Sequence, residues 1–287
     1  MGQFACPQVG TLPDEYSKKL PKLVSAAERP ATSFFPFQSP GPADVTWYFP
    51  IGLDKTNPTG VFFPPGFSFA KQIDVILFFH GNKQGLWENI NEYWRGNVAN
   101  IRLRENVVDS GKDVVLIAPT MGAVPGHGGV RNKDIGVFAF DGGGTCFLDH
   151  VATWLAKYEP RYADKNITPQ VRKVVLAAHS GGGNAIHAQM ASMKSKLCAI
   201  WGFDIVLGGA DDWINFALLN PGITLTFFHS IQNTDDFNSI VAKKKEIESK
   251  GQKLSNLTTF DVGGDHYAVL TNNFPTQAKN TGCFAGR

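Results

Sequence analysis

From residue 73 to residue 262 the chain repeats one pattern: a short, uniformly apolar run, then a stretch with helical spacing. The apolar runs at 73–79, 114–118, 171–178, 198–203, 223–228 and 257–262 carry almost no polar residues, so they read as strands buried on both faces. Between them lie helical segments: one with Leu86, Ile90, Tyr93, Trp94, Val98 and Ile101 at helical spacing, others near 146–156, directly after Ser180, and near 211–219 and 236–250. A strand buried on both faces needs helices above and below it. The alternation therefore predicts an α/β fold with a mostly parallel central sheet and helices on both faces.

The segment ahead of this series differs. Residues 1–44 are rich in Pro, Ser and Phe and read as an extended arm, because closely spaced prolines cannot sustain a helix. Runs at 45–49 and 61–63, separated by the turn cluster Asn57-Pro58-Thr59-Gly60, predict an antiparallel hairpin at one edge of the sheet. Residues 45–287 are read as a single domain, which a chain of 287 residues accommodates. One segment, 120–144, breaks the rhythm with eight glycines and no period, and reads as a lid or pocket rim. Its clusters Gly126-His127-Gly128-Gly129 and Asp141-Gly142-Gly143-Gly144 lack the strand, helix and Lys of a phosphate loop, so both read as flexible.

The residues that carry chemistry sit at strand ends. The run Val174-Val175-Leu176-Ala177-Ala178-His179-Ser180-Gly181-Gly182-Gly183 takes a buried strand straight into a Ser and then a helix. Such a nucleophile elbow holds a Ser on a tight turn and requires small neighbours two residues away on either side, here Ala178 and Gly182. Gly is usual at both places, so Ala178 is a departure. A Ser hydroxyl needs a base to take its proton and donors for the oxyanion. The strand ending Phe78-Phe79-His80-Gly81-Asn82 offers one donor, and the expected oxyanion hole is the N–H groups of Asn82 and Gly181.

Three histidines follow Ser180. His187 lies within the next helix and His229 ends an apolar strand, so both read as structural. His266 follows the last strand after Val262-Gly263-Gly264-Asp265 and is the expected base. His179 adjoins Ser180, yet neighbours on a strand point to opposite faces. Two carboxylates compete to orient the base: Asp204, delivered by the strand at 198–203, is preferred, and Asp235, in the loop after the next strand, is the alternative. Asp211 and Asp212 read as helix N-terminal charges.

With these motifs in place, residues 73–270 resemble the α/β-hydrolase superfamily, through the strand ending HGN, the elbow AHSGG and the terminal GGDH, in the order Ser, acid, His. The resemblance implies the α/β-hydrolase fold and hydrolysis through an acyl-enzyme by a Ser180–His266–Asp204 triad. An acid after the sixth strand is similar to the arrangement of pancreatic-type lipases, whereas most relatives carry it after the seventh, where Asp235 lies.

The expected function is that of a serine hydrolase cleaving a carboxylic ester, esterase- or lipase-like; the alternatives are a peptidase or amidase with the same triad, and a non-catalytic hydrolase-fold binding protein. Aromatics near the expected mouth, Trp87, Phe138, Phe140 and Trp201, favour an apolar acyl or aryl group. No cofactor and no metal are expected. A net charge of +2 leaves no field for nucleic acid, and the basic run 243–245 reads as a solvated helix face. No apolar stretch reaches the length of a membrane span. Expected partners are thus small-molecule or lipid-like esters. The expected compartment is cytoplasmic if the chain is complete and extracellular if a signal peptide has been removed. Of the four cysteines, most read as packing thiols, Cys198 among them, and a Cys6–Cys283 bridge would clip the two ends together in an oxidising compartment. Asn166-Ile-Thr and Asn256-Leu-Thr match the glycosylation acceptor pattern.

Overall fold

The computed structural model describes residues 46–49, 59–81, 93, 101–119, 121 and 135–287. The arm at 1–44, Asn82, Trp87, Cys6 and the glycine cluster at 126–129 lie outside the described residues, as does most of the expected helix between Leu86 and Ile101.

Eight strands form one sheet: β1 (Thr46–Phe49), β2 (Thr59–Phe62), β3 (Gln72–Phe79), β4 (Val115–Pro119), β5 (Gln170–His179), β6 (Leu197–Phe203), β7 (Thr224–His229) and β8 (Leu257–Asp261), in the order β1-β2-β4-β3-β5-β6-β7-β8. β1 pairs antiparallel with β2, and β2 with β4, so the expected hairpin stands at one edge. Thr59 and Gly60, read as turn residues, belong to β2 instead: they face Phe49 and Tyr48 across the hairpin and Pro119 and Ala118 on β4. Every pair from β4 through β3, β5, β6 and β7 to β8 is parallel. This is the α/β-hydrolase fold, a mostly parallel sheet with helices on both faces.

The side-chain period of two sorts each apolar strand between two cores. On β3, Ile73, Val75, Leu77 and Phe79 enter one core while Ile76 and Phe78 enter the other; on β5, Val174, Leu176 and Ala178 oppose Val175 and Ala177. Helices α2 (Gly143–Tyr158), α4 (Gly183–Gln189), α5 (Ala210–Leu219) and α6 (Thr234–Ser249) cover the first face through Phe147, Val151, Ile186, Trp213, Phe237 and Ile240. Helices α1 (Leu103–Asp109) and α7 (His266–Asn280) cover the second, through Leu103, Val107, Val269, Leu270 and Phe274. A single turn of helix, α3 (Pro160–Ala163), precedes β5. The lysine run lies on α6, with Lys243 paired to Asp211 and Glu246, and Lys244 to Glu248.

Three expectations are corrected. Cys198 is not a packing thiol: it is bonded to Cys283, with the two Cα atoms 5.7 Å apart. Cys283 is thereby unavailable to Cys6. The physical reason is α7, a helix the sequence reading did not anticipate, which runs back beneath the sheet and delivers residue 283 to the start of β6. Cys146 is disulfide-bonded as well, and no free cysteine occurs among the described residues.

The third correction concerns Asp141-Gly142-Gly143-Gly144, read as flexible. Gly143 and Gly144 are buried and open α2. The buried Gln189 amide holds them: its Oε1 accepts from Gly144 N–H at 2.7 Å, and its Nε2 donates to the carbonyls of Phe138 (2.6 Å) and Phe140 (2.8 Å). Residues 122–134 of the expected lid lie outside the described residues.

Beyond Cys283 the chain is strapped to the loop after α1. Ala285 accepts from Asp113 N–H (3.1 Å), Arg287 N–H donates to Gly111 (2.7 Å), and Gly286 bridges Lys112. The Asn256 side chain donates to the carbonyls of Ala217, Asn220 and Ile223, a structural use of one glycosylation motif, whereas Asn166 is exposed in a turn. No helix among the described residues is long and apolar enough to cross a membrane.

Candidate active site

β5 ends at His179 and the chain turns at once, through a single 3-10 turn (Ser180–Gly182), into α4. Ser180 has φ of 53°, the left-handed region that an L-residue occupies at a cost of roughly 1–3 kcal/mol. The sharpness of the bend explains its glycine. A Cβ on Gly182 would lie 2.4 Å from the Phe79 carbonyl oxygen, because the end of β3 abuts the turn. Ala178, the departure from the usual pattern, is wholly buried between its neighbours. Ser180 itself is partly exposed.

Asp204 follows β6 at the same edge of the sheet and also has positive φ, 49°. Its backbone is pinned on every side: its N–H donates to Phe228 at 2.7 Å, its carbonyl accepts from Asn233 Nδ2 at 3.0 Å, and two residues on Val206 N–H donates to the Ser180 carbonyl at 3.0 Å. Thus the loop that carries the carboxylate is bonded directly to the elbow. Asp236 holds the next part of that loop, accepting from Leu207 and Gly208 N–H. The Asp204 carboxylate accepts from His266 Nδ1 at 2.6 Å, from Ser230 Oγ at 2.5 Å and from Ser230 N–H at 3.2 Å. Burial pushes its pKa up, but the hydrogen bonds from His266 and Ser230 outweigh that and hold it below the usual carboxylate range.

His266 is the first residue of α7, whose N-cap Asp265 accepts from Tyr267 N–H at 2.6 Å. Since a carboxylate only accepts, Nδ1 carries the hydrogen toward Asp204, and a neutral ring then presents a bare Nε2. The structure therefore brings Asp204 to His266 and leaves Asp235 elsewhere: Asp235 is exposed in the first turn of α6.

Four other histidines among the described residues are engaged elsewhere or pack near this pair. His187 meets Asp212 at 3.0 Å on the surface. His229, at the end of β7, is buried, with Nδ1 3.9 Å from Asp204 Oδ1. His80 is buried, with Nε2 accepting from Met121 N–H and Nδ1 donating to the Gly81 carbonyl, both at 2.7 Å. Burial pushes His80 down to about 4 despite those two bonds. His179 is buried too, with both ring nitrogens engaged, Nδ1 by Tyr93 Oη at 2.7 Å and Nε2 by the His266 carbonyl at 2.9 Å.

Of the expected oxyanion donors, Gly181 lies within the 3-10 turn beside Ser180, and Asn82 lies outside the described residues. Gly81, just before it, is packed on the site: a Cβ there would come within 2.8 Å of Ser180 Cβ. Among the aromatics expected at the mouth, Phe138 and Trp201 are core residues instead, packed on Phe79 and Phe274 respectively. Phe140 alone of the described three is open, at 52% exposure. Sequence reading missed the parts played by Ser230, Asn233 and Tyr93, and it weighed Asp236, beside Asp235, as a carboxylate for the base rather than as the acceptor that holds Leu207 and Gly208. The parts of Ser230, Asn233 and Asp236 could have been found from the topology, since the end of β7 adjoins the end of β6. Among the described residues no cluster of three or more His, Cys, Asp or Glu could hold a metal ion.

No protein-family model and no curated protein sequence matches the chain. Solved structures do. A thermostable esterase is 13% identical with a TM-score of 0.52, the match covering 82% of this chain and 61% of that one. A serine-to-alanine mutant of the feruloyl esterase module from Clostridium thermocellum, complexed with sinapinate, is 12% identical with a TM-score of 0.52, the match covering 82% of this chain and 86% of that one. This chain therefore spans about three-fifths of the length of the first. Both likenesses are of fold.

Proposed function

We propose that the chain is a serine hydrolase that cleaves a carboxylic ester through an acyl-enzyme, with Ser180 as nucleophile, His266 as base and Asp204 as the carboxylate that orients it. The observation that carries this reading is the 2.6 Å bond from His266 Nδ1 to Asp204, on a loop tied by Val206 N–H to the strained Ser180. His266 Nε2 takes the Ser180 proton as Oγ attacks the carbonyl, then returns it to the leaving alkoxide; water repeats the sequence to release the acid. The N–H groups of Asn82 and Gly181 are the proposed oxyanion donors, each worth about 3 kcal/mol of transition-state stabilisation. The structural likeness to two esterases supports an ester over an amide. The substrate class is a small or lipid-like ester. The disulfide-bonded cysteines support an oxidising compartment.

A fluorophosphonate probe tests the reading. The native protein is expected to be labelled once, Ser180→Ala not at all, and a p-nitrophenyl ester series of increasing acyl length, with a methyl sinapinate arm, to rank the acyl preference. An unlabelled native protein, or labelling that survives Ser180→Ala, would overturn it. Faster turnover of a matched amide would move the reading to a peptidase or amidase.

A further inference from the structure

A buried chain of hydrogen bonds runs from the end of β3 to the backbone of His266, and none of the proposed chemical steps uses it. Gly81 N–H lies 3.0 Å from Tyr93 Oη, Tyr93 Oη lies 2.7 Å from His179 Nδ1, and His179 Nε2 lies 2.9 Å from the His266 carbonyl. We infer that His179 and Tyr93 are positioning residues, which hold the base and the oxyanion side of the site in register with one another across the elbow.

The direction of every bond follows from the chemistry of its ends. A carbonyl only accepts, so His179 Nε2 carries a hydrogen and donates to His266. A neutral ring then has a bare Nδ1, which takes the Tyr93 hydroxyl hydrogen, and Tyr93 Oη in turn accepts from Gly81 N–H. Burial and the nearby His266 push His179 down to about 3, so the ring is neutral at neutral pH and this polarity is fixed. Packing reinforces it. The His179 ring lies 4.3 Å from the His266 ring and 5.2 Å from that of Tyr267, so it forms the floor beneath the base. Tyr93 packs on Phe78 at 5.4 Å, which ties the hydroxyl to β3.

The geometry makes the two ends one unit. His179 is the last residue of β5 and immediately precedes Ser180, so a shift of its ring moves the His266 carbonyl relative to the nucleophile. The Gly81 N–H is held by the same hydroxyl and the Gly81 carbonyl accepts from His80 Nδ1, so both backbone polar groups of Gly81 are fixed. Because Gly81 N–H is already committed to Tyr93, it is not itself a donor to substrate. A misplacement of reacting groups by about an ångström costs on the order of 10²-fold in rate.

This inference rests on the proposed hydrolase reading, and the test separates the two. Tyr93→Phe deletes the shared hydroxyl; His179→Phe deletes both ring bonds; His179→Gln restores a donor at the position of Nε2 alone. Native protein and variants are compared for fluorophosphonate labelling rate, for kcat and KM on a p-nitrophenyl ester, for melting temperature, and for the low-field proton resonance of the His266–Asp204 bond. Expected are a kcat lowered about tenfold in Tyr93→Phe and about 10²-fold in His179→Phe, KM within about twofold, and partial recovery in His179→Gln. The labelling rate should fall in parallel, and the low-field resonance should shift or broaden in protein that is still folded. Should His179→Phe fail to fold, the Tyr93→Phe and His179→Gln pair decides. Variants labelled at the native rate, or losses that track only the folded fraction, would overturn the positioning role. A native protein that takes no label would instead overturn the hydrolase reading.

Discussion

Asp204 and Asp235 sit thirty-one positions apart and differ in sequence by little more than the strand each follows, yet their surroundings separate them. Asp204 is 2% exposed and receives hydrogens from His266 and from both the hydroxyl and the N–H of Ser230, whereas Asp235 faces solvent at the start of α6. Under the proposed mechanism Asp204→Asn is expected to lower kcat by about 10³- to 10⁴-fold, because an amide facing Nδ1 disturbs the tautomer that leaves Nε2 bare to act as base. Asp235→Ala should leave kcat within about twofold. Steady-state kinetics on a single p-nitrophenyl ester checks both, and an equal loss in the two variants would contradict the assignment. The elbow was readable from residue types alone, since an apolar strand that meets Ser and glycines has few other uses. Ser230 was readable only through the topology, because its part depends on β7 ending beside β6 and not on any local pattern.

Elements show the same division. The inner strands of the parallel sheet were legible because burial on both faces leaves them almost without polar residues, whereas β8, at the sheet edge, carries Thr258, Thr259 and Asp261 and is largely exposed. α7 was not. It carries Pro275 within its length and several Asn and Thr, so propensity argues against it, although Leu270, Phe274 and Ala278 recur at the helical spacing of four. Tertiary packing of that apolar stripe on Trp201 and Phe203 prevails over the local preference. The opening of α2 misled in the opposite sense: its glycines read as flexible because the residue that immobilises them, Gln189, lies 45 positions from Gly144. Gln189→Leu should leave Gly144 N–H and the carbonyls of Phe138 and Phe140 without that partner. Equilibrium denaturation is expected to show a loss of about 2–4 kcal/mol. A loss under about 0.5 kcal/mol would mean the turn and helix hold without the amide.

For the molecule as a whole, two buried imidazoles set the response to acid. Histidine in an unfolded chain takes up its proton near 6.5, whereas burial holds His80 down to about 4 and His179 down to about 3. Between those limits the unfolded state binds more protons than the native one, so stability is full above pH 6.5 and declines as the pH falls. From pH 6.5 to pH 5 the two together should remove about 3 kcal/mol. Asp204, held below the usual carboxylate range, adds a further loss only below about pH 4. Urea denaturation across this range checks the slope, and a flat profile would show that these rings are protonated in the native state. The Cys198–Cys283 bond closes a loop of 85 residues, for which the chain-entropy estimate is about 4–5 kcal/mol. A Cys198→Ala/Cys283→Ala variant should melt correspondingly earlier.

That same bond closes the far end of the helix that begins with the proposed base, some 22 Å of α7 away. Dithiothreitol should therefore slow ester turnover by loosening the purchase of His266 on the sheet, while the rate falls with no sulfur among the reacting atoms. To a bench chemist the protein would behave as the reverse of a thiol enzyme, slowed by reductant and indifferent, in its oxidised form, to iodoacetamide.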